Sequence, residues 1–416
     1  MSDTVFCSCL NYASPARGGW SIVRTALLVP ECYQLFIGAP ACMRHIVLSS
    51  IELGVAERVS CLHLEEADVV LGSYEEQIYE GADELLDSLE PKPKVLMIFM
   101  TCIDSLLGTD PEAFLGPLNE KYRETRCIVA RMNPIMADSL QPPGTAVQST
   151  MYGLLRKNLQ KENSVNFIGN NVAISDENEM IRYLKQNGIA VKHISQFDTF
   201  EGFQTMAQSR MNLVAAPVAL PAAGELKERL GMEFADCIPC YSKAEILQEY
   251  RRVCEGLGLE MADFSKEAEE AYQVLSEVAT ALKGRKIAID YEATYRPFSM
   301  AKLLMEAGFA VSRIYTDACA SYEEEAFEWL KSRGVDVVVP NLYVKGRSWD
   351  EKEQTDVICI GFEAAYLEQS PYVVTLAADG ELWGFEGIRL LAERLRAASE
   401  KKSSLEKLID ESVLII

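Results

Sequence analysis

The sequence predicts an α/β protein made of three Rossmann-like, doubly wound α/β/α domains around a shared cleft. Short apolar runs alternate with amphipathic helical patterns along the chain, which is typical of parallel sheets covered by helices on both faces. One pattern also occurs twice, at Tyr183–Ile194 and at Leu303–Ile314. Each copy predicts a helix, a glycine that ends it and a buried strand. In such units the carboxyl ends of the strands can converge on one cleft.

The first unit is predicted over residues 1–160. Its strands are expected at Tyr33–Ile37, Asp68–Leu71, Val95–Met100 and Cys127–Ala130, its helices at Ile78–Leu89, Asp110–Tyr122 and Met151–Leu159, and a helix or strand at Val23–Leu28. Asp68–Leu71 is interpreted as a buried parallel strand that ends at Gly72. Pro91 ends the first helix, and the pair Asp110–Pro111 is typical of a helix start.

The second unit is predicted over residues 161–283 and the third over residues 284–416. Their further strands are expected at Val165–Gly169, Asn212–Ala215, Arg285–Asp290, Asp336–Pro340, Val357–Ile360 and Val373–Leu376, and their further helices at Glu225–Leu230, Phe264–Leu282 and Phe385–Ala398. Ser242 and Glu245 have the spacing of a capping box that begins another helix. The segment Leu405–Ile416 carries apolar residues at helical spacing, so we expect it to pack on a neighbour.

The composition excludes several classes of function. With 416 residues, of which 49% are hydrophobic, the chain can bury more than one core. Its net charge of −22 argues against a surface for nucleic acid or anionic membranes, because both require clustered Lys and Arg. No apolar run approaches the roughly 20 residues of a membrane span. Residues 1–4 lack the basic and apolar layout of a signal peptide, so we expect a cytoplasmic protein.

Cysteine dominates the supply of metal-binding side chains. The chain has 12 cysteines but only three histidines, His45, His63 and His193. In the reducing cytosol this composition predicts buried thiols together with a metal or redox site, rather than a disulfide framework. A site built from several imidazoles is nearly excluded, whereas thiolate ligands are abundant.

Three cysteines of the first unit lie beside turn signals. Cys9 is followed by a polar segment that ends in proline, Cys42 ends the run Gly38-Ala-Pro-Ala-Cys, and Cys102 follows Thr101 just past a predicted strand. A thiolate in a turn can point away from the core and accept backbone N–H groups, which is the environment of an iron–sulfur cluster. The alternative is that all three are ordinary buried thiols.

The pair Cys237-Ile-Pro-Cys240 leaves two interpretations open. A C-x-x-C pair can be redox-active, with a thiol acidified by a helix N-terminus, or it can be half of a metal site. No second half-site occurs, and loop packing is the alternative. The remaining cysteines are expected to be structural: Cys32, Cys61, Cys127, Cys254, Cys319 and Cys359.

Three arginines flank the cysteine turns in this acidic chain: Arg17, Arg24 and Arg44. They would offset the negative charge of a cluster or bind a substrate carboxylate. Ordinary surface ion pairs are the alternative. Neither a Walker A motif nor a Gly-x-Gly-x-x-Gly pattern after a strand is present, so the sequence contains no direct signal for a nucleotide site.

The cysteine motifs resemble those of the nitrogenase component 1 type oxidoreductases. Gly38–Cys42 is similar to the family's His-Gly-Pro-x-Gly-Cys turn, with the histidine and the second glycine replaced. Thr101–Asp110 resembles its Thr-Cys-x-x-x-Leu-Ile-Gly-Asp-Asp motif, and Asp68–Gly72 with the acidic helix after it resembles the strand and helix before that motif. Met211–Val214 and Leu226–Gly231 also fit, so the resemblance spans nearly the whole chain.

This resemblance implies a cofactor and partners. An iron–sulfur cluster, either 4Fe–4S or P-cluster-like 8Fe–7S, would be shared at a subunit interface and held by Cys9, Cys42 and Cys102. Cys7 competes with Cys9 for the first position, and a second subunit or a non-cysteine group would supply the fourth ligand. The implied partners are a related chain, in a homodimer, heterodimer or heterotetramer, and an ATP-dependent iron-protein reductase. No nucleic acid or membrane partner is expected.

The function implied is that of the iron–sulfur subunit of a nitrogenase-like reductase, which passes electrons to a substrate or cofactor in the interdomain cleft. An iron–molybdenum cofactor is not expected, because the family's cysteine ligand aligns near Ala215 and the third unit contains no histidine. One alternative is a non-catalytic scaffold for the maturation and transfer of a metal cluster. Another is a cluster-free α/β protein that binds a sugar or a nucleotide.

Overall fold

Three parallel sheets follow one another along the chain. The computed structural model describes Phe6 and residues 22–131, 142–158, 160–340 and 354–404. Within these ranges every strand pairs in parallel with its neighbours. The predicted α/β class with helix-covered parallel sheets is therefore confirmed, while the three-domain count and the domain boundaries remain predictions.

The first sheet has the strand order β2-β1-β3-β4. Its elements are α1 (Ile22–Ala26), β1 (Cys32–Gly38), α2 (Pro40–Glu52), β2 (Val59–His63), α3 (Glu66–Leu71), α4 (Tyr74–Ser88), β3 (Val95–Met100), α5 (Cys102–Leu107), α6 (Glu112–Lys121), β4 (Arg126–Arg131) and α7 (Pro143–Gly153). The central strand β3 is buried at all of its positions, as expected for a strand covered on both faces.

The second sheet repeats this arrangement with the order β6-β5-β7-β8. Its elements are β5 (Ser164–Ile168), α8 (Glu179–Gln186), β6 (Ala190–His193), α9 (Phe200–Gln204), β7 (Met211–Val214), α10 (Leu220–Leu230), β8 (Glu233–Asp236), α11 (Lys243–Leu257) and α12 (Ser265–Ala281). The Ser242 hydroxyl accepts a hydrogen bond from the Glu245 amide at 3.2 Å, so the predicted helix start is confirmed.

The third sheet has the order β11-β10-β9-β12-β13, which is the doubly wound arrangement of dinucleotide-binding folds. Its elements are β9 (Lys286–Asp290), α13 (Pro297–Glu306), β10 (Ala310–Tyr315), α14 (Glu324–Lys331), β11 (Asp336–Val338), β12 (Ile358–Ile360), α15 (Phe362–Glu368), β13 (Tyr372–Val374) and α16 (Gly384–Glu400). Both copies of the repeated pattern form the predicted helix and strand, at α8–β6 and at α13–β10.

One predicted strand is wrong. Asp68–Leu71 forms most of the short helix α3, which begins with a capping box between Glu65 and Asp68 and ends at Gly72 with φ of 71°. Val70 and Leu71 are each 78% exposed, so apolar character here does not indicate burial. The strand of this region is β2, which sequence analysis missed because it is short and only partly buried.

Three boundaries also differ from the prediction. Helix α6 begins at Glu112, one residue after the predicted first position Pro111, and the Asp110 carboxylate accepts from the Glu112 amide at 3.1 Å. Helix α7 begins at Pro143 and ends at Gly153, so Leu154 and Leu155 are buried just beyond it rather than within it. Residue 159 and the predicted tail helix at 405–416 lie outside the described residues.

The apolar cores cross from one sheet to the next. One buried cluster joins elements of the first and second sheets, including Phe36 and Phe203. A larger one joins the second and third sheets, including Phe167 and Trp383, whose rings meet edge to face with centroids 5.0 Å apart. None of the described helices combines the length and the apolar character needed to cross a bilayer.

A buried polar network attaches α16 to the second sheet. The Glu179 carboxylate accepts hydrogen bonds from the backbone amides of Phe385 and Glu386 in the first turn of α16, and from the Tyr250 hydroxyl. The Asn178 amide donates to the Trp383 carbonyl at 2.8 Å. A carboxylate at a helix N-terminus satisfies amides that have no partner within the helix, and it interacts favourably with the helix dipole.

We expect Glu179→Ala to lower the free energy of unfolding by about 3 kcal/mol, because it leaves buried donors on α16 and Tyr250 without an acceptor. Urea denaturation measures this loss. Glu179→Gln keeps one acceptor oxygen and should cost less, and Glu177→Ala, at an exposed neighbouring position, should change little. Equal stability of the Glu179→Ala and Glu177→Ala proteins would contradict this role.

Candidate functional site

Cys42 and Cys102 lie at the same edge of the first sheet. Strands β1 and β3 are parallel neighbours, with Phe36 opposite Phe99, so their carboxyl ends meet at this edge. Cys42 is exposed in the first turn of α2, and Cys102 is partly exposed as the first residue of α5. Each thiol therefore belongs to the start of a helix, rather than to the turn that the sequence suggested.

Gly38 allows the two helix starts to approach each other. A Cβ atom at this position would lie 2.9 Å from Met43 Cε and 3.4 Å from Thr101 Cγ2, so a larger residue would require at least the Met43 side chain to move. The boundary between β1 and β3 is also where the strand order of this sheet reverses. In open α/β sheets, ligands bind outside the carboxyl ends of the strands at this point.

A buried hydrogen-bond network fixes the position of Cys102. The Asp104 carboxylate accepts from the Thr101 backbone amide and from the Tyr74 hydroxyl on α4. Burial raises the pKa of Asp104 above its ordinary value. Because this network anchors the first turn of α5, it orients Cys102 before any ligand is bound.

Three other residues predicted for this site are not among the residues that the structure describes. Cys9, its competitor Cys7 and Arg17 lie outside the described residues. Among the residues that the structure describes, no three His, Cys, Asp or Glu side chains come close enough to hold a metal ion. The structure thus brings two of the three predicted thiols to one edge and leaves the third position open.

Large exposed apolar side chains lie on the helices that follow this edge. Of the nine exposed large hydrophobic residues in the described ranges, seven lie on α2, α3 and α5, the helices that follow β1, β2 and β3; we call them the apolar edge: Val47, Leu48, Ile51, Val70, Leu71, Leu106 and Leu107. Exposed large apolar side chains that are concentrated on neighbouring helices are typical of an interaction site.

A cavity of about 320 Å³ lies where the three units meet. The first unit contributes residues of α1 and α7, the second unit the segments that follow β5 and β7, and the third unit the segments that follow β9, β12 and β13. Its volume is at the lower end of the range of small-molecule sites. Arg24, which the sequence placed near the cysteine turns, lines this cavity, whereas Arg44 is exposed on α2 two residues after Cys42.

Two amide oxygens in the cavity wall have no hydrogen-bond partner among the described residues. Gln148 is 4% exposed, and its Oε1 is unpaired while its nitrogen donates to the Gly169 carbonyl at 3.5 Å. Asn170 is 9% exposed, and its Oδ1 is unpaired while its nitrogen donates to the Val172 carbonyl. Buried polar atoms without partners are costly, and a water molecule or a ligand with N–H or O–H groups would satisfy these acceptors.

The cavity wall also contains strained backbone. Ala378 and Asp379 have φ angles of 47° and 61°, a region that residues with a Cβ atom seldom adopt. Asp379 is buried and accepts from the Tyr241 hydroxyl and, at 2.9 Å, from the Tyr295 amide. Burial raises the pKa of Asp379 to about 6. Strain that is held in place by such contacts is common at functional sites.

Sequence analysis missed these cavity residues, although a signal was present. Gly169 ends a predicted strand, Asn170 and Asn171 directly follow it, and Asp379–Gly380 comes shortly after another. Polar and glycine residues at the carboxyl ends of parallel strands mark ligand sites. The contribution of α1 and α7 had no comparable signal, because it depends on how the units pack.

The pair Cys237 and Cys240 is buried between β8 and α11. The Cys240 thiol donates to Glu249 Oε2 at 3.3 Å, and the Trp383 indole donates to Glu249 Oε1 at 2.7 Å. Burial, together with the charge of Glu249, raises the pKa of both thiols. Neither cysteine lies in a helix first turn, so the acidified thiol of the redox interpretation is not supported and the geometry favours packing.

The cysteines expected to be structural lie in or near the elements predicted for them. Cys32, Cys127 and Cys359 are buried in β1, β4 and β12, and Cys254 is buried on α11. Burial raises the pKa of Cys32 and of Cys127 to about 12. Cys61 in β2 and Cys319 are partly exposed.

Comparisons with known proteins identify relatives along most of the chain. The family model described as Nitrogenase component 1 type Oxidoreductase matches residues 23–399. The nitrogenase iron-molybdenum cofactor biosynthesis protein NifE of Clostridium pasteurianum is 22% identical over 281 residues, which cover 65% of this chain and 60% of that protein. NifE of Rhodobacter capsulatus is 22% identical over 266 residues, which cover 60% and 54%. The match thus spans little more than half the length of these relatives.

Two solved structures share the fold. Nitrogenase Cp1 at pH 6.5 superposes with a TM-score of 0.67 at 16% identity, over 94% of this chain and 93% of that one. Nitrogenase Cp1 at pH 5 superposes with a TM-score of 0.60 at 15% identity, over 94% and 89%. At these identities the likeness establishes the fold alone.

We expect stability to depend on pH through Glu249, because burial raises its pKa from an ordinary value of 4.5 to about 7. Between these pH values the folded protein binds one more proton than the unfolded protein. The stability that protonated Glu249 contributes is therefore complete below pH 4.5 and is lost as the pH rises through 7. Because glutamine does not ionise, Glu249→Gln should remove up to about 3 kcal/mol of this decline in the free energy of unfolding. Melting temperatures from pH 4.5 to 8 test it, with the exposed Glu255→Gln as control; an unchanged slope in Glu249→Gln would disprove it.

Proposed function

The chain belongs to the nitrogenase component 1 type oxidoreductase family, and from this premise we propose that it is the iron–sulfur subunit of a nitrogenase-like reductase. The observation that carries the proposal is that Cys42 and Cys102 lie at one sheet edge, on two of the three helices that carry the apolar edge. A cluster shared between subunits needs both features, because thiolates bind the iron and apolar surface joins the partners.

The side chains at the carboxyl edge of the first sheet, which we call the cysteine edge because it carries Cys42 and Cys102, are suitable ligands for an iron–sulfur cluster. Cys42 and Cys102 would hold it together with Cys9, and a second subunit or a non-cysteine group would complete the ligands. Cys42 lies in the first turn of α2, where the positive end of the helix dipole favours negative charge. When bound, the cluster would supply one-electron transfer between an ATP-dependent iron protein and a substrate in the cavity. Both 4Fe–4S and 8Fe–7S clusters use such thiolates.

The apolar edge supports a partner chain at this site. Burial of exposed leucine, isoleucine and valine side chains favours association by roughly 25 cal/mol for each Å² removed from water. A related chain, identical or different, would cover these side chains and shield the thiolates in a homodimer, heterodimer or heterotetramer. We place the assembly in the cytoplasm, where thiols stay reduced.

The cavity between the three units would bind the substrate. Unpaired oxygens of Gln148 and Asn170 would accept hydrogen bonds from it, and Arg24 would contact an acidic group. The described lining contains no cysteine or histidine. These residues therefore do not fit a permanently ligated iron–molybdenum cofactor, whereas they fit a polar organic substrate.

A second candidate function is a scaffold that receives a metal cluster and transfers it to another protein. Two observations favour it. Both curated relatives are described as proteins of iron–molybdenum cofactor biosynthesis, and the described cavity lining has no side chain that would hold a metal firmly. In this case the cluster in the cavity would be cargo.

We expect Cys42→Ala and Cys102→Ala each to lose more than half of the iron and sulfide found in the anaerobically purified protein, because each removes a thiolate ligand. Electron paramagnetic resonance of the reduced proteins should show the same loss of signal. Cys61→Ala, at a partly exposed cysteine of the same sheet, serves as the matched control. Iron content equal to wild type in both variants would refute the ligand assignment.

The two candidate functions differ in turnover. With an iron protein, ATP and a substrate, the reductase should oxidise its partner continuously, and Arg24→Ala should weaken the use of an acidic substrate. The scaffold should show no turnover and should release its cluster to an acceptor protein. Stopped-flow oxidation of the iron protein and a cluster-transfer assay distinguish them; a protein that shows neither behaviour would contradict both.

A further inference from the structure

A second cavity, of about 400 Å³, lies at the opposite edge of the first sheet. Lys94 directly precedes β3 and Arg126 begins β4, so both mark the amino ends of these strands. Cys102, in contrast, follows the carboxyl end of β3. Since strands rise about 3.3 Å per residue, β3 separates the two edges by roughly 20 Å. This amino-edge cavity is therefore distinct from the cysteine site.

The lining of the amino-edge cavity has an excess of positive charge. Four cationic side chains and two carboxylates line it: Lys94, Arg123, Arg126, Arg156, Glu124 and Glu201. Its formal net charge is thus +2 in a chain whose net charge is −22. A positively charged cavity is not expected from the acidic composition of this chain.

None of these four cations forms an ion pair with a carboxylate in the described parts of the chain. Elsewhere on the surface such pairs are frequent, for example Lys121 with Asp83 at 2.6 Å and Lys192 with Glu162 at 2.6 Å. What distinguishes this place in a chain with 62 acidic and 40 basic residues is that four such cations line one cavity.

Part of the cluster has a structural explanation. The Arg126 guanidinium donates to the Leu154 carbonyl at 3.3 Å, and Arg229 on α10 donates to the Tyr152 carbonyl at 3.1 Å. The last carbonyl groups of a helix have no amide donors within the helix. Both arginines thus donate to carbonyl groups at the C-terminal end of α7. This explanation does not extend to Lys94, Arg123 or Arg156.

Like charges come together at this place. Burial, and then the positive charges of Arg156 and Arg229, lower the pKa of Arg126. Four cations against two carboxylates leave an excess of positive charge, and like charges that approach one another are stabilised when an anion binds between them. Arg123 and Arg156 are exposed, so an anion from solution can reach them.

We propose that the amino-edge cavity binds a compact oxyanion with two or more negative charges, such as a diphosphate or a polycarboxylate. Planar guanidinium groups match the paired oxygens of both kinds of anion. The volume of about 400 Å³ accommodates a molecule larger than a single phosphate ion. The site lies outside the proposed electron path and does not depend on the cluster.

Isothermal titration of the full chain with pyrophosphate, tripolyphosphate and citrate, at constant ionic strength, tests this proposal. We expect saturable binding of at least one probe with one site per chain. Arg123→Ala and Arg156→Ala should each weaken the affinity about tenfold, which corresponds to the loss of one charge-assisted contact. Arg251→Ala, at an exposed arginine of α11 without an ion pair to a described carboxylate, is the matched control and should bind as wild type.

The outcomes separate the sources of the anion. Preference for pyrophosphate assigns a phosphorylated ligand, and preference for citrate assigns a polycarboxylate. Both replaced side chains are exposed and their removal reduces repulsion between like charges, so melting temperatures should not fall. Arg123→Lys should retain part of the affinity that Arg123→Ala loses. Absence of saturable binding by all three probes, or equal weakening in Arg251→Ala, would overturn the proposal, whereas the iron content of these variants reports on the cysteine site alone.

Discussion

The relative position of the second and third sheets depends on one buried carboxylate, that of Glu179. It accepts hydrogen bonds from the first turn of α16 and from Tyr250, while Trp383 beside it donates to Glu249. These polar groups lie within the apolar cluster that joins the two sheets. Directional contacts inside an apolar interface restrict how two units can pack, and the walls of the cavity come from both of them.

The cysteine edge and the apolar edge have one physical cause. Parallel strands end at a common edge, and the helices that follow them begin there, so the starts of α2 and α5 are neighbours. The same geometry groups the exposed apolar residues of α2, α3 and α5. Thiols that need protection from water and apolar side chains that need a partner are thus placed together, which is consistent with a site that is completed by a second subunit.

Electrostatics distinguishes the two ends of the first sheet. Its carboxyl edge combines helix starts with partly exposed thiols and suits an anionic metal–thiolate group. Its amino edge combines unpaired cations with a cavity and suits a soluble oxyanion. Because the whole chain is strongly acidic, positive charge at either edge has to be concentrated locally, by backbone amides in one case and by arginine side chains in the other.

The sequence by itself determined the fold class, most strands and helices, and the cysteine motifs, because apolar periodicity, glycine caps and turn residues are local signals. It misassigned Asp68–Leu71, since two valines and a leucine can face a partner surface as well as a core. Only the tertiary structure decided which residues meet across units: Gln148, Asn170 and Ala378 around the central cavity, and Lys94, Arg123 and Arg156 around the amino-edge cavity. Such groupings join residues distant in sequence, and their positions follow from strand order and packing rather than from any local pattern.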